Sequence, residues 1–366
     1  MPITYLEAIR AAQHKLLADD PRVFIYGQDI ADFGGAFKAT KRLAEEFPGR
    51  VLDSPIAEDA QVGLAIGAAL EGMRPIVEMQ FADFSTCGYT QIVQHAATMY
   101  WRTNTPCPIV LRLPTGGTPG AGPFHSQSLE AIYAHYPGLV VMTPATVEDA
   151  YSMLIEAVNI DDPVLFFEHK FLYHTLKAFP DADLPEGEAD GGGYHGKPRN
   201  KEQEKARKVV KDKERDEAIR GILAESLATA QPTGKARVAR PGRDATIVAY
   251  SAMVHEALEC AGKLATEGWD VEVIDLRSVK PLDTDTVLAS VSRTGRLLAV
   301  GEAFPWGGVT AEVITRVATE GFGLLDAPPM RLNAKDTPIP YHPNLWGTHR
   351  PRAEAIAVAM RELLRA

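Results

Sequence analysis

Apolar positions along this chain follow two alternating rhythms. From Thr4 onward, Leu6, Ile9, Leu16 and Leu17 recur at the spacing of one helix face until Asp20-Pro21 stops them. Val23-Phe24-Ile25-Tyr26-Gly27 follows at once, too short for a helix and without polar alternation, which predicts a strand buried on both faces. The same grammar recurs in Ile76 to Met79, Ile109 to Leu111, Leu139 to Met142 and Val164 to Phe167, with helical segments over 58–72, 90–101 and 147–159. Buried strands alternating with helices predict an α/β fold with a parallel sheet covered on both faces. Near residue 244 the pattern restarts with Ala245 to Tyr250, a helix from Val254 to Ala265, Val271 to Leu276 and Leu297 to Val300, a second and smaller α/β domain.

Between these halves the composition changes. Residues 181–233 open with acids and a Gly191-Gly192-Gly193 run, then carry nine Lys or Arg against four acids from Lys197 to Arg215. This reads as a charged linker or insertion, a solvated spacer with one or two surface helices, with a partner-docking arm as the sharper alternative. The chain therefore divides into 1–180, 181–233 and 234–366.

Length and charge narrow the function. With 366 residues, 45% of them hydrophobic, the chain can bury a large core, and a net charge of -10 disfavours a nucleic-acid partner. Cys87, Cys107 and Cys260 show no metal-type spacing and leave an odd thiol, which fits a reducing cytoplasm. Met1 to Arg10 carries an acid at Glu7 and lacks a basic lead or apolar core, and no apolar run approaches the ~20 residues of a membrane span. A soluble, cytoplasmic protein is expected.

Three stretches carry candidate chemistry: Asp53 to Glu58, Phe81 to Phe84, and Gly122 to Gln127. Each follows a strand-like or turn-like segment, so all three fit one carboxyl edge of a parallel sheet, where open α/β folds bind ligands. Asp53 or Ser54 is expected to cap a helix starting near Pro55, which leaves Glu58 in its first turn. There it is either a dipole partner or, with Ile56, Ala57, Val62 and Leu64 as apolar neighbours, an acid tuned for proton exchange. Phe81 and Phe84 are either rim core or a stacking platform. Residues 113–123 are too rich in Gly and Pro for helix or strand and form a loop, which lacks a phosphate-loop ending. His125 closes it, either as a structural ring or as a proton donor near neutral pH.

These stretches occur in an order that resembles a known family. With Gly63 to Ala69 after Glu58 and Ala134 to Leu139 after His125, and with Gly234 to Val238, Ala252 to Val254 and Val273 to Arg277 in the second half, the chain resembles the β subunit of the thiamine-diphosphate-dependent E1 component of 2-oxo acid dehydrogenase complexes. The resemblance implies a transketolase-like pyrimidine-binding domain followed by a C-terminal domain of the transketolase type, with the insert outside the family pattern. It implies that Glu58 hydrogen-bonds N1′ of the aminopyrimidine, that Phe84 and Ile56 line the cofactor, and that His125 assists acyl transfer to a lipoyl arm. It also aligns backbone carbonyls near Ile109, Ala157, Ile160 and Asp162 with a monovalent-cation site, possible for K+.

One absence shapes the expectation. Thiamine enzymes hold the diphosphate through Mg2+ on a Gly-Asp-Gly motif, which this chain lacks. The resemblance therefore implies an E1 α subunit that carries the metal, an α2β2 heterotetramer, and an E2 dihydrolipoyl acyltransferase as acceptor. Phe167 to Lys170 with Leu172-Tyr173 leans toward a branched-chain 2-oxo acid; pyruvate and acetoin versions stay open, as does a non-catalytic interaction protein that keeps the fold. Thr90 and Ser251 depart from the family's common Asp and Gly at those positions.

Overall fold

The computed structural model describes residues 2–182, 184 and 201–366, with side chains of the last range from residue 210 onward. Thr4 starts the first helix for a local reason. Its hydroxyl accepts the Glu7 amide at 3.2 Å while the Glu7 carboxylate accepts the Thr4 amide at 2.8 Å, a reciprocal capping box that satisfies two otherwise orphaned donors. The helix Tyr5–Asp19 then delivers the chain to the strand Val23–Gly27.

That strand belongs to a seven-stranded sheet ordered Ser278–Lys280, Val140–Met142, Val164–His169, Val110–Thr115, Arg74–Glu78, Val23–Gly27 and Val51–Asp53. All neighbours are parallel except the first pair. Successive side chains of a strand point to opposite faces. Accordingly Ile76, Val110 and Phe166 join the core under the helices Tyr5–Asp19 and Val147–Asn159, while Val77, Leu111 and Phe167 join the core under the helix Glu58–Leu70. Burying each such side chain stabilises the fold by about 1.5–3 kcal/mol, which is why these strands read as continuous apolar runs.

A five-stranded sheet follows, ordered Met330–Leu332, Leu297–Val300, Ala245–Ala249, Val271–Asp275 and Arg237–Arg240, parallel except for the last pair. The helices Met253–Ala265 and Ala353–Arg365 cover one face, and Thr284–Thr294 and Val309–Glu320 the other.

The two sheets are not independent. Ser278–Lys280, just after the strand Val271–Asp275 of the second half, closes the edge of the first sheet against Val140–Met142. Just before it, buried Arg277 donates to Asp149 Oδ1 at 3.0 and 2.9 Å and to the carbonyls of Gln231, Pro232 and Lys235. One guanidinium thus fastens the connecting segment to a helix of the first half.

Two expectations are corrected. Residues 90–101 do not form one helix: a 3-10 turn Ala82–Gly88, a π turn Gln91–Ala96 and the short helix Met99–Thr103 replace it. The Thr98 hydroxyl turning back to the Gln94 carbonyl at 2.5 Å accompanies the break. The insert contains the helix Lys201–Ser226, whose later part is docked, not solvated: Ile219 and Leu223 are buried, Arg215 pairs with Glu7 at 2.8 Å, and Asp216 with Arg10 at 3.2 Å. The triple-glycine run at 191–193 lies outside the described residues.

Candidate active site

At the carboxyl edge of the larger sheet the chain leaves the strands Val51–Asp53, Arg74–Glu78 and Val110–Thr115 into segments that bear Glu58, Phe84 and His125. Glu58 is the first residue of the helix Glu58–Leu70, and the residue before it, Ala57, offers no side-chain cap. The expected capping by Asp53 or Ser54 is therefore corrected. Asp53 ends a strand and accepts the Ala31 amide at 2.8 Å, and the Ser54 hydroxyl accepts from Gln61 Nε2 at 2.6 Å. The uncapped helix start leaves its amides and dipole beside the Glu58 carboxylate.

The expected apolar shield is also corrected. Ile56 is 83% exposed and Leu64 46% exposed, so within this chain neither encloses the acid. Instead Gln28, buried just past the strand Val23–Gly27, donates from Nε2 to Glu58 Oε1 at 3.0 Å. No other side chain among the described residues bonds Glu58.

Phe84 and His125 are brought together from distant stretches. The His125 ring meets the Phe81 ring edge-on at 4.5 Å and the Phe84 ring at 5.6 Å, and Phe37 closes on Phe81 from the far side at 5.5 Å. These edge-to-face geometries are the favoured ones for aromatic pairs. His125 rides on the Gly- and Pro-rich loop, whose base is tied: the Thr115 hydroxyl donates to the Gln127 carbonyl at 3.1 Å, and the Gln127 amide donates to Asp83 Oδ1 at 3.2 Å.

Below this rim lies a layer of buried charge. Arg112, fully buried on the central strand, bridges Glu78 and Glu168 on its two neighbours and donates to Gln13 Oε1 at 3.2 Å. Burial pushes the Glu168 carboxyl up to about 7 against the pull of Arg112, with Glu78 adding to the rise. Burial likewise brings the Lys170 ammonium down to about 8 against Asp83, Glu302 and Glu130. Lys170 donates to the carbonyls of Gly116 at 2.6 Å and Pro114 at 3.2 Å, holding the loop's start. Neither Arg112 nor Gln28 was singled out from the sequence. A charged residue inside the run Val110-Leu111-Arg112-Leu113 was the available signal for the first, since lone charges are seldom fully buried.

Ile109, Ala157, Ile160 and Asp162 gather at the opposite, amino edge of the sheet, just before the strands Val110–Thr115 and Val164–His169. Their carbonyls are partly engaged. Ile109 O accepts the Val164 amide at 2.9 Å, Ala157 O accepts the Ile160 amide at 3.3 Å, and Ile160 O accepts from the Arg74 guanidinium at 3.3 Å. Among the described residues no group of three His, Cys, Asp or Glu side chains is placed to hold a metal ion.

Residues 1–175 match the transketolase pyrimidine-binding domain family and residues 234–356 the transketolase C-terminal domain family. The chain is 38% identical to the 2-oxoisovalerate dehydrogenase subunit beta of Bacillus subtilis, covering 99% of this chain and 98% of that protein. It is 35% identical to the pyruvate dehydrogenase E1 component subunit beta of Rickettsia felis, with 99% and 98% covered. It is 36% identical to the acetoin:2,6-dichlorophenolindophenol oxidoreductase subunit beta of Cupriavidus necator, with 98% and 96% covered. A solved structure titled a split gene transketolase, inactive beta4 tetramer, shares the fold at a TM-score of 0.71 and 21% identity, with 99% of each chain covered. The chain belongs to the family of E1 β subunits of 2-oxo acid and acetoin dehydrogenases, built on transketolase-type domains.

Proposed function

We propose that this member of the E1 β family forms the β half of a thiamine-diphosphate-dependent 2-oxo acid dehydrogenase, completed by an α subunit. In this reading residues 1–180 form the pyrimidine-binding half, 234–366 the second half, and 181–233 an insertion between them. The observation that carries it is Glu58, a carboxylate with one oxygen held by Gln28, on the same sheet edge as the Phe81, Phe84 and His125 rings.

The residues fit the cofactor. Glu58 would hold a proton against the pyrimidine ring nitrogen N1′, with Gln28 keeping its other oxygen in place. Phe84 would pack against the ring, and exposed Ile56 would be covered once cofactor and partner are in position. His125 would donate to the acyl group as it passes to a lipoyl arm. When bound, thiamine diphosphate supplies the carbon nucleophile and the electron sink for loss of carbon dioxide. This chain has no Gly-Asp-Gly segment, so Mg2+ and the diphosphate are assigned to the α subunit, in an α2β2 assembly that delivers its product to an E2 acyltransferase. A K+ ion at the amino edge would share Ile160 O with Arg74, and the proposed chemistry does not depend on it.

The substrate is assigned to the 2-oxo acids, branched-chain or pyruvate, with acetoin as the alternative. Three thiols without disulfides, Cys87, Cys107 and Cys260, suit a reducing compartment such as the cytoplasm. No helix among the described residues is long and apolar enough to cross a membrane.

The test is reconstitution with the α chain and assay of pyruvate, 2-oxoisovalerate and acetoin with a dye acceptor. Glu58→Gln is expected to abolish turnover of every substrate while assembly persists. Near-normal turnover in that variant would favour a scaffold protein instead.

A further inference from the structure

We propose that Glu302 is a positioning residue through which the second half of the chain holds the His125 loop in register for acyl transfer. The inference rests on the functional reading above. Glu302 lies just past the strand Leu297–Val300, yet both its oxygens are spent on the first half. Oε1 accepts the Gly117 amide at 2.7 Å, and Oε2 meets His169 Nε2 at 3.0 Å. His169 Nδ1 accepts the Phe171 amide at 3.2 Å, so the ring hydrogen resides on Nε2 and is donated to Glu302. The Arg350 guanidinium stands 3.9 Å away. Burial pushes the Glu302 carboxyl up, but the hydrogen bond from His169, the charge of Arg350 and the Gly117 amide outweigh it and hold the acid below its ordinary 4.5.

The loop's first residues are shaped to this contact. Gly116 has φ +75°, and a Cβ there would lie 1.9 Å from His169 Nε2; a Cβ on Gly117 would lie 2.2 Å from Trp346 Nε1. Only residues without side chains allow the loop to settle onto His169 and Trp346. Further on, the Gly120 amide donates to the Tyr341 carbonyl at 3.2 Å, a second anchor from the same half. The far end is fixed within the first half at Gln127. His125 therefore sits in a Gly/Pro segment whose entrance is held by Lys170 from the first half and Glu302 from the second, and whose exit is held by Thr115 and Asp83.

Removing Glu302 releases the Gly117 amide and loosens the entrance, while Lys170 still holds the Gly116 and Pro114 carbonyls, and it touches neither the ring nor Glu58. Misplacing a catalytic group by about 1 Å costs up to roughly a hundredfold in rate. The α/β assembly is tested as wild type, Glu302→Gln, Glu302→Ala, His125→Ala and the His125→Ala/Glu302→Ala double variant. Glu302→Gln keeps the shape, but its amide nitrogen must face one of two donors, so one bond is lost. Dye-coupled decarboxylation should stay within about twofold while acylation of a lipoyl domain falls at least about tenfold, and the double variant should be no worse than His125→Ala. Hydrogen exchange over residues 116–127 should accelerate at least about tenfold in Glu302→Gln with the helix Val147–Asn159 unchanged. Parallel loss of both activities, an additive double variant, or unchanged exchange overturns the role. A wild-type assembly that decarboxylates no 2-oxo acid overturns the functional reading and this role with it. An active wild type whose Glu302→Gln variant transfers acyl groups normally overturns the role alone.

Discussion

Gln28 and Glu58, thirty positions apart in the chain, meet through a 3.0 Å hydrogen bond from the amide Nε2 to the carboxylate Oε1. Gln28 is buried and Glu58 half-buried, so water competes poorly for the Gln28 side of this bond. The amide keeps one carboxylate oxygen in place and leaves the other for a ligand.

Removing that amide should show in turnover. A hydrogen bond to a charged group contributes about 1.5–3 kcal/mol, and each 1.4 kcal/mol is a factor of ten. Gln28→Ala in the α/β assembly is expected to lower kcat by roughly tenfold or more with assembly intact. Gln28→Glu puts a second carboxyl beside Glu58, and since two neighbouring carboxylates resist ionising together, the acid limb of the pH–rate profile should move to higher pH. Steady-state kinetics across pH decide it, and a profile that does not move counts against the pairing.

Phe84 is half-buried, and its ring contacts are confined to Phe81 at 5.5 Å and His125 at 5.6 Å among the described aromatics. An aromatic pair contributes about 0.5–1.5 kcal/mol beyond simple burial. Phe84→Ala is expected to weaken thiamine diphosphate binding by the assembly by about tenfold while the unfolding midpoint of the chain shifts little. Cofactor titration followed by intrinsic fluorescence measures the first and thermal unfolding the second; unchanged affinity removes Phe84 from the cofactor wall.

Glu130 makes a stability prediction with a definite sign. It is 1% exposed, lies 3.2 Å from the Thr115 hydroxyl, whose one proton the Gln127 carbonyl takes, and is pushed up from 4.5 to about 7 by burial, with Glu302 adding to the rise. The folded state therefore holds a proton that the unfolded state releases between about pH 4.5 and 7, and stability falls as pH rises through that window. At 1.36 kcal/mol per unit the shift amounts to about 3 kcal/mol at pH 8. Glu130→Gln, which keeps a neutral hydrogen-bonding partner beside Thr115, should match the wild type at pH 4 and exceed it by that order at pH 8. Denaturant midpoints at the two pH values test this, and equal differences at both retire it.

Among the ion pairs that dock the insert helix, Arg215 with Glu7 carries the opposite pH sign. Glu7 lies below its ordinary 4.5 because the hydrogen bonds from Arg215 and the Thr4 amide outweigh the burial that pushes it up. A lowered carboxyl stabilises the folded state above its unfolded value and loses that contribution as pH falls through its folded value. Arg215→Ala should therefore speed hydrogen exchange over residues 210–226 at pH 7, and the difference from wild type should shrink below about pH 4. A pH-independent difference would assign the effect to lost packing of the arginine stem.

What the sequence determined by itself is whatever is encoded locally. Apolar runs after Pro21, Pro75, Pro108 and Pro163 mark the buried strands, because a strand covered on both faces is apolar at most of its positions. Glu58, Phe84 and His125 each sit in a short readable motif, and their order along the chain was enough to suggest the family. Tertiary structure alone decided which distant groups meet. The pairs Gln28 with Glu58, Glu302 with Gly117, and Arg112 with Glu78 and Glu168 cross 30, 185, 34 and 56 positions, and no local period records a bond of that span. The edge strand Ser278–Lys280 and the docking of Ile219 and Leu223 belong to the same class. A short strand or a charged helix finds its place only when a complementary surface is already folded, so its position is a property of the whole chain and not of its own residues.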